Sequence, residues 1–161
     1  MDRTAYTPFV NVLIAGSGFL LLSASAFANE PIESPSPYVS ARLVKAWLEE
    51  DRPVTFLDVR EPDEFAAGHL PVAINVVYDQ VATLADRLPH DQPIVVYCIH
   101  SAHRAPEAAK TLRTLGFDNA HVLEGGIVAW QAGGLTIRAS DLTKAPAILP
   151  LTERCSDTVS P

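Results

Sequence analysis

Cys98 is the residue whose type and position most clearly indicate chemistry. It ends a short apolar run at residues 94–97 and is followed by a polar loop that leads to Arg104 and Pro106. The apolar run is rich in β-branched residues and predicts a buried strand, whereas residues 105–115 have helical periodicity. Cys98 is therefore expected at the carboxyl end of a strand, where open α/β sheets place their ligands.

The predicted surroundings of the Cys98 sulfur favour a reactive thiolate with an anion beside it. The following helix would direct the positive end of its dipole and its unpaired N–H groups at the sulfur, and Arg104 adds a fixed positive charge. Such a loop could cradle thiosulfate, phosphate, arsenate or a persulfide on the cysteine itself. A space-filling core cysteine is the alternative. The candidate anion-binding residues are Ile99, His100, Ser101, Ala102, His103 and Arg104.

The elements that must position this loop are strands that alternate with helices. Strands are predicted at residues 54–57, 72–76, 94–97 and 120–123, and helices at 40–50, 61–67, 79–88, 105–115 and from Gly126 onward. This alternation predicts a single α/β domain with a mainly parallel central sheet and helices on both faces. Residues 29–37 form a Pro/Ser-rich linker, 38–138 the domain, and 139–161 a tail that lies on the surface or is disordered.

The N-terminal residues and the overall charge bear on location and partners. The 161-residue chain has a net charge of −7, which argues against a nucleic-acid partner. Residues 1–28 contain an apolar run and end in Ala26-Phe27-Ala28, so they predict a signal peptide that is cleaved after Ala28. The protein is then periplasmic or secreted. An uncleaved N-terminal anchor is the alternative, and only in that case is a membrane a partner.

Four stretches resemble, in order, the rhodanese-homology domain, the fold of the sulfurtransferases. They are FLDVREPDEFAAGHLP at residues 56–71, AINV at 73–76, VVYC at 95–98 and LEGGIVAW at 123–130. Four motifs in the right order and spacing are a much stronger signal than any one motif alone. The similarity extends over roughly residues 38–138.

The resemblance implies a covalent mechanism. The Cys98 thiolate would take a sulfane sulfur from a donor such as thiosulfate, become a persulfide, and pass the sulfur to a thiophilic acceptor. Backbone N–H groups of residues 99–104 would hold the persulfide or the substrate anion, and Arg104 would bind that anion. The implied partners are a small sulfur-containing anion or a persulfide donor, together with a thiol acceptor or a reductant protein. No cofactor is implied.

Asp58 and Arg60 end a neighbouring predicted strand. By the same resemblance they would support the active loop. Alternatively they form a buried structural ion pair, with Arg60 also reaching Glu64.

The active loop departs from the family pattern C-x-x-G-x-R, because Arg104 stands sixth after Cys98. The loop instead resembles the C-x(5)-R form of rhodanese-fold phosphatases and arsenate reductases. A longer loop gives a wider cradle for a tetrahedral oxyanion, and His103 could protonate a leaving group. Tyr97, however, replaces the His that usually precedes the phosphatase cysteine. Sulfur transfer is therefore the first hypothesis, and an oxyanion enzyme that uses Cys98 and Arg104 is the second.

Two further hypotheses come from other functional classes. Cys98, His100 and His103 have a spacing that could bind copper or zinc, although no metal ligands are assigned. A non-catalytic binding module is the other, and the intact Cys98 and Arg104 argue against it. In an oxidising compartment Cys98 could also form a disulfide with Cys155 if the tail folds back over the loop.

Overall fold

The computed structural model describes residues 36–150, which form a five-stranded sheet in which all pairings are parallel. The strands are β1 (Tyr38–Val39), β2 (Thr55–Asp58), β3 (Ile74–Asn75), β4 (Ile94–Tyr97) and β5 (Ala120–Leu123), in the order β1-β5-β4-β2-β3. The helices are α1 (Ala41–Glu49), α2 (Pro62–Ala67), α3 (Arg104–Thr114) and α4 (Gly126–Ala132), with a 3-10 helix at Tyr78–Arg87. The predicted α/β fold with a mainly parallel sheet is confirmed.

Strand β4 lies in the middle of the sheet and is buried on both faces, as its unbroken apolar run predicts. Ile94 and Val96 pack on the side of α3 and the 3-10 helix. Val95 and Tyr97 pack on the opposite side, with residues of α1 and α4. Alternating side chains of one strand thus fill two separate cores, and helices cover both faces of the sheet.

Helices α1 and α2 begin at residues that are typical of helix N-termini. The Ser40 hydroxyl accepts a hydrogen bond from the Leu43 N–H at 3.2 Å, which caps α1. In α2 the Glu61 N–H donates to Glu64 Oε2 at 3.0 Å. Pro62 occupies the first helical position, where its missing N–H costs nothing.

Three local predictions differ from the structure. The predicted helix at 79–88 is a 3-10 helix at Tyr78–Arg87, although the spacing of Val81, Leu84, Ala85 and Leu88 is that of an α-helix. The strand predicted at 72–76 is only Ile74–Asn75, because Val72 has φ +57° and cannot continue an extended strand. Strand β1 was not predicted, since two residues carry no periodicity.

The described chain continues past residue 138 along the surface of the domain. Arg138 and His69 form an antiparallel bridge, with N–H to O distances of 2.8 Å in both directions. The Ala147 N–H donates to Ala67 O, and Ile148 packs against the core beneath α1 and α4. No helix within residues 36–150 is long and apolar enough to cross a membrane. The predicted signal peptide at 1–28, most of the linker and Cys155 lie outside the described residues.

Candidate active site

Cys98 directly follows β4, at the carboxyl edge of the sheet, as the sequence predicts. Its side chain is 2% exposed and packs with Leu57, Val59 and Ala105 in the core next to α3. The loop of residues 99–103 connects it to α3, which begins at Arg104. The thiol therefore lies between the end of a buried strand and the first turn of a helix.

The loop is attached to α4 through its first two carbonyl groups. Cys98 O accepts a hydrogen bond from the Ile127 N–H at 3.0 Å, and Ile99 O accepts one from the Val128 N–H at 3.2 Å. This approach requires glycine at 126, where φ is +59° and where a Cβ atom would collide with both carbonyl groups. The Gly-Gly pair of the last motif thus has a structural purpose, which is to bring α4 against the active loop.

The backbone N–H groups of the loop differ from these carbonyl groups. Among the described residues, the N–H groups of residues 99–103 donate no hydrogen bond. Ser101 has φ +55°, so the loop reverses within a few residues, and its hydroxyl accepts a long hydrogen bond of 3.4 Å from the Cys98 N–H. A run of unpaired N–H groups in such a turn is suited to binding an anion. The available donors lie in the loop that the sequence analysis identified.

Arg104 is held by Glu64 of α2. Its Nη1 and Nη2 atoms donate to the two carboxylate oxygens at 2.7 and 3.0 Å, and both side chains are almost completely buried. Burial alone would raise the pKa of Glu64, but the hydrogen bonds from Arg104 and from the Glu61 N–H lower it overall. Arg60 makes no described hydrogen bond or ion pair with Glu64, but its positive charge also contributes to lowering the pKa of Glu64.

Asp58 and Arg60 form the second buried ion pair. Arg60 Nε and Nη2 donate to the two Asp58 oxygens at 2.9 and 2.6 Å, and Nη2 also donates to Gly68 O at 2.6 Å. Burial alone would lower the pKa of Arg60, but Asp58 raises it overall. The Asn75 amide donates to Asp58 O and Arg60 O. This pair holds the turn that follows β2 and does not touch the loop of Cys98 through any hydrogen bond described.

Tyr97, which precedes Cys98, is fully buried on the other face of β4. Its hydroxyl accepts a hydrogen bond from the Leu70 N–H at 3.0 Å. Burial and the negative charge of Asp58 raise the pKa of the Tyr97 phenol. Tyr97 is thus a neutral packing residue that joins β4 to the turn after α2.

Comparison with known proteins now identifies the family. A model described as "Rhodanese-like domain" matches residues 40–133, which is more than half of the chain. The chain belongs to the rhodanese-like domain family. The Bacillus subtilis protein YqhL, itself described as uncharacterized, is 35% identical over 94 residues, which are 55% of this chain and 74% of YqhL.

Solved structures agree with this assignment. The rhodanese-like domain of the Anabaena protein Alr3790 aligns with a TM-score of 0.60 and 28% identity, over 72% of this chain and 89% of that chain. A thiosulfate sulfurtransferase from Pseudomonas aeruginosa aligns with a TM-score of 0.58 and 21% identity, over 65% of this chain but only 20% of that chain. The second likeness supports the shared fold alone.

Part of the loop that follows Cys98 faces solvent in this rhodanese-like domain. His100, Ala102 and His103 are exposed, and the His103 ring lies 6.0 Å from the Tyr78 ring, measured between centroids. No group of three or more His, Cys, Asp or Glu side chains within residues 36–150 is arranged to hold a metal ion. Cys98, His100 and His103 are therefore not brought together as a ligand set.

Two features of the site were not predicted from the sequence. Glu64 is the partner of Arg104, although 40 residues separate them. The only sequence signal was the presence of Glu64 in the first motif, where it reads equally well as a helix-capping residue. The second unpredicted feature is the attachment of the loop carbonyls to α4. Its sequence signal was the pair Gly125-Gly126.

Proposed function

We propose that this rhodanese-like domain is a sulfurtransferase that carries sulfur as a persulfide on Cys98. The observation that carries the proposal is the run of unpaired N–H groups at residues 99–103 next to a cysteine at the carboxyl edge of the sheet. A persulfide is anionic at neutral pH, and such donors stabilise a small anion without requiring a cation. Membership of the rhodanese-like domain family supports the same chemistry.

The reaction has two displacements. The Cys98 thiolate attacks the outer sulfur of thiosulfate, the sulfur–sulfur bond of thiosulfate breaks, and sulfite leaves with the bonding electron pair. Cys98 then carries a persulfide, whose terminal sulfur lies against the loop amides. A thiolate or other thiophilic acceptor attacks that terminal sulfur, and Cys98 leaves as the thiolate. The loop N–H groups hold the anion in both steps.

The position of Arg104 favours sulfur transfer over the oxyanion hypothesis. The length of the loop suits a tetrahedral anion, and for this reason the oxyanion enzyme remains the second candidate function. However, a phosphate or arsenate needs strong cationic neutralisation, and both terminal nitrogens of Arg104 hydrogen-bond to the buried Glu64 carboxylate. The expectation that Arg104 binds the anion directly remains a prediction. Thiosulfate is also a dianion, but it is bound only until sulfite leaves, and the resulting persulfide carries a single negative charge that the loop N–H groups alone can stabilise.

The deciding experiment is the intact mass of the reduced domain after incubation with thiosulfate, with Cys98→Ser as the matched control. A gain of about one sulfur atom by the native protein alone is expected. No gain by the reduced native protein would contradict thiosulfate as the sulfur donor. Hydrolysis of an aryl phosphate or reduction of arsenate, abolished by Cys98→Ser, would then support the oxyanion enzyme.

We also propose that the domain acts outside the cytoplasm. The support is the sequence of residues 1–28, which has the apolar run and Ala-x-Ala ending of a signal peptide. N-terminal sequencing of the protein from a secretion-competent bacterium should begin at Asn29. A mature protein that begins at Met1 in the membrane fraction would favour the anchored alternative.

A further inference from the structure

The C-terminal strap, defined as residues 137–148, completes the end of α2. The Ser140 N–H donates to Ala66 O at 3.0 Å, and the Ala147 N–H donates to Ala67 O at 2.9 Å. These are carbonyl groups at the last turn of a helix, which has no further N–H groups of its own to satisfy them. Helix α2 has only six residues and is too short to be stable alone. The strap therefore satisfies two carbonyl groups that α2 itself cannot satisfy.

Apolar contacts hold the strap in place. Ile137 and Ala139 are 5% and 7% exposed, and Ile148 packs against the core beneath α1 and α4. Leu142, in contrast, is 86% exposed and lies between the two attachment points. Gly68 allows the close approach of the strap, since a Cβ atom there would collide with the backbone of Ala147. Its φ of −176° is accessible to any residue, so that collision is the only local obstacle to a side chain.

The element that the strap completes also carries Glu64. Glu64 holds both terminal nitrogens of Arg104, and Arg104 is the first residue of α3 and closes the active loop. A continuous series of contacts therefore runs from the strap through α2 and the buried ion pair to the loop of Cys98. The strap lies outside residues 40–133, which the family model matches.

We propose that the C-terminal strap is a positioning element of the active loop, which it controls by fixing α2 and hence the Glu64–Arg104 pair. The strap acts within its own domain, and its role is to hold in place the loop of residues 99–103, whose N–H groups are unpaired, next to Cys98. This inference extends the proposed function, but the order of the loop can be measured whether or not the protein transfers sulfur.

The test compares two matched pairs of variants in the full chain. Gly68→Ala forces the strap away from α2, while Gly133→Ala adds the same methyl group at a site with ordinary contacts and φ −74°. Ile148→Ser removes a partly buried anchor of the strap, while Leu142→Ser makes the same kind of change where the side chain is 86% exposed. Neither control residue belongs to the site.

Amide hydrogen exchange of Glu107, Ile127 and Val128, whose N–H groups donate to the loop carbonyls of His103, Cys98 and Ile99, is the first measurement. Gly68→Ala and Ile148→Ser should accelerate the exchange of these amides about tenfold relative to the amides of β4, and the two controls should not. Unchanged exchange of these amides in both strap variants would overturn the proposal. So would acceleration that is equal throughout the domain, because that would mean a general loss of stability.

The second measurement is the rate of persulfide formation as a function of thiosulfate concentration. A loosened cradle should raise the half-saturating concentration about tenfold and change the limiting rate less, since the loop amides hold the donor anion. A fall in the limiting rate alone, in proportion to the unfolded fraction, would contradict a positioning role. If the native protein forms no persulfide, the proposed function fails, and the exchange result still decides the role of the strap.

Discussion

The two buried ion pairs at the carboxyl edge of the sheet differ in what they connect. Asp58 and Arg60 are two positions apart and brace the turn after β2, with one further hydrogen bond from Arg60 to Gly68 O at the end of α2. Glu64 and Arg104 are 40 positions apart and join α2 to the first turn of α3. The first pair acts within one region of the chain, whereas the second joins two segments that are distant in the sequence. Equal burial and similar geometry can thus serve stability in one place and the arrangement of a reactive loop in another.

The largest effect should come from removing one partner of each pair. Glu64→Gln and Asp58→Asn each leave a buried guanidinium without its counter-charge, which should cost about 3–5 kcal/mol of unfolding free energy. At a temperature where both variants are folded, only Glu64→Gln should strongly slow persulfide formation on Cys98. Chemical denaturation and single-turnover mass measurements check the two parts.

The control for that comparison is Asp63→Asn, which removes an exposed carboxylate from the same helix. It should change stability and persulfide formation little. If Asp58→Asn slowed the reaction as much as Glu64→Gln, the distinction between the two pairs would be wrong.

A substitution at Gly126 tests whether the loop is also held from the side of α4. Gly126→Ala should cost about 2–5 kcal/mol, because the positive φ strains alanine and the new methyl group collides with Cys98 O and Ile99 O. Gly116→Ala has φ +93° but no atom nearby, so it should cost about 1–2 kcal/mol from strain alone. Thermal or denaturant unfolding measures both. Equal costs would mean that the contact with the loop carbonyls is unimportant.

The acid stability of the domain should depend on the long-range pair. The pKa of Glu64 is lowered in the folded state, so its charge contributes stability above its unfolded pKa, and this contribution is lost as the pH falls through the folded pKa. The native protein should therefore lose stability between neutral and strongly acidic pH more steeply than Glu64→Gln does. Unfolding free energies across that range test it, and parallel curves would contradict the assignment.

Val72 lies outside both pairs and gives the smallest expected effect. It has φ +57° and is 86% exposed, so a β-branched residue is strained there without compensating burial. Val72→Gly should raise the unfolding free energy by about 0.5–1 kcal/mol, since relief of strain exceeds the added entropy of the unfolded chain. Persulfide formation should not change. Destabilisation would show that Val72 makes contacts that outweigh its backbone strain.

The sequence by itself determined the β4-loop-α3 unit and the place of Cys98 in it. Apolar runs, helical periodicity and turn residues act over a few positions, and so does the Asp58–Arg60 pair. The family followed from the order of four motifs, since each motif is a local feature.

Only the tertiary structure decided the partner of Arg104, the attachment of the loop to α4 and the course of the C-terminal strap. Arg104 could equally have faced an anion, and nothing within its own segment distinguishes these states. Its partner is supplied by α2, whose last two carbonyl groups accept hydrogen bonds from the Ser140 and Ala147 N–H groups. Contacts between distant segments depend on how the two cores pack, and no local pattern of residues encodes that packing.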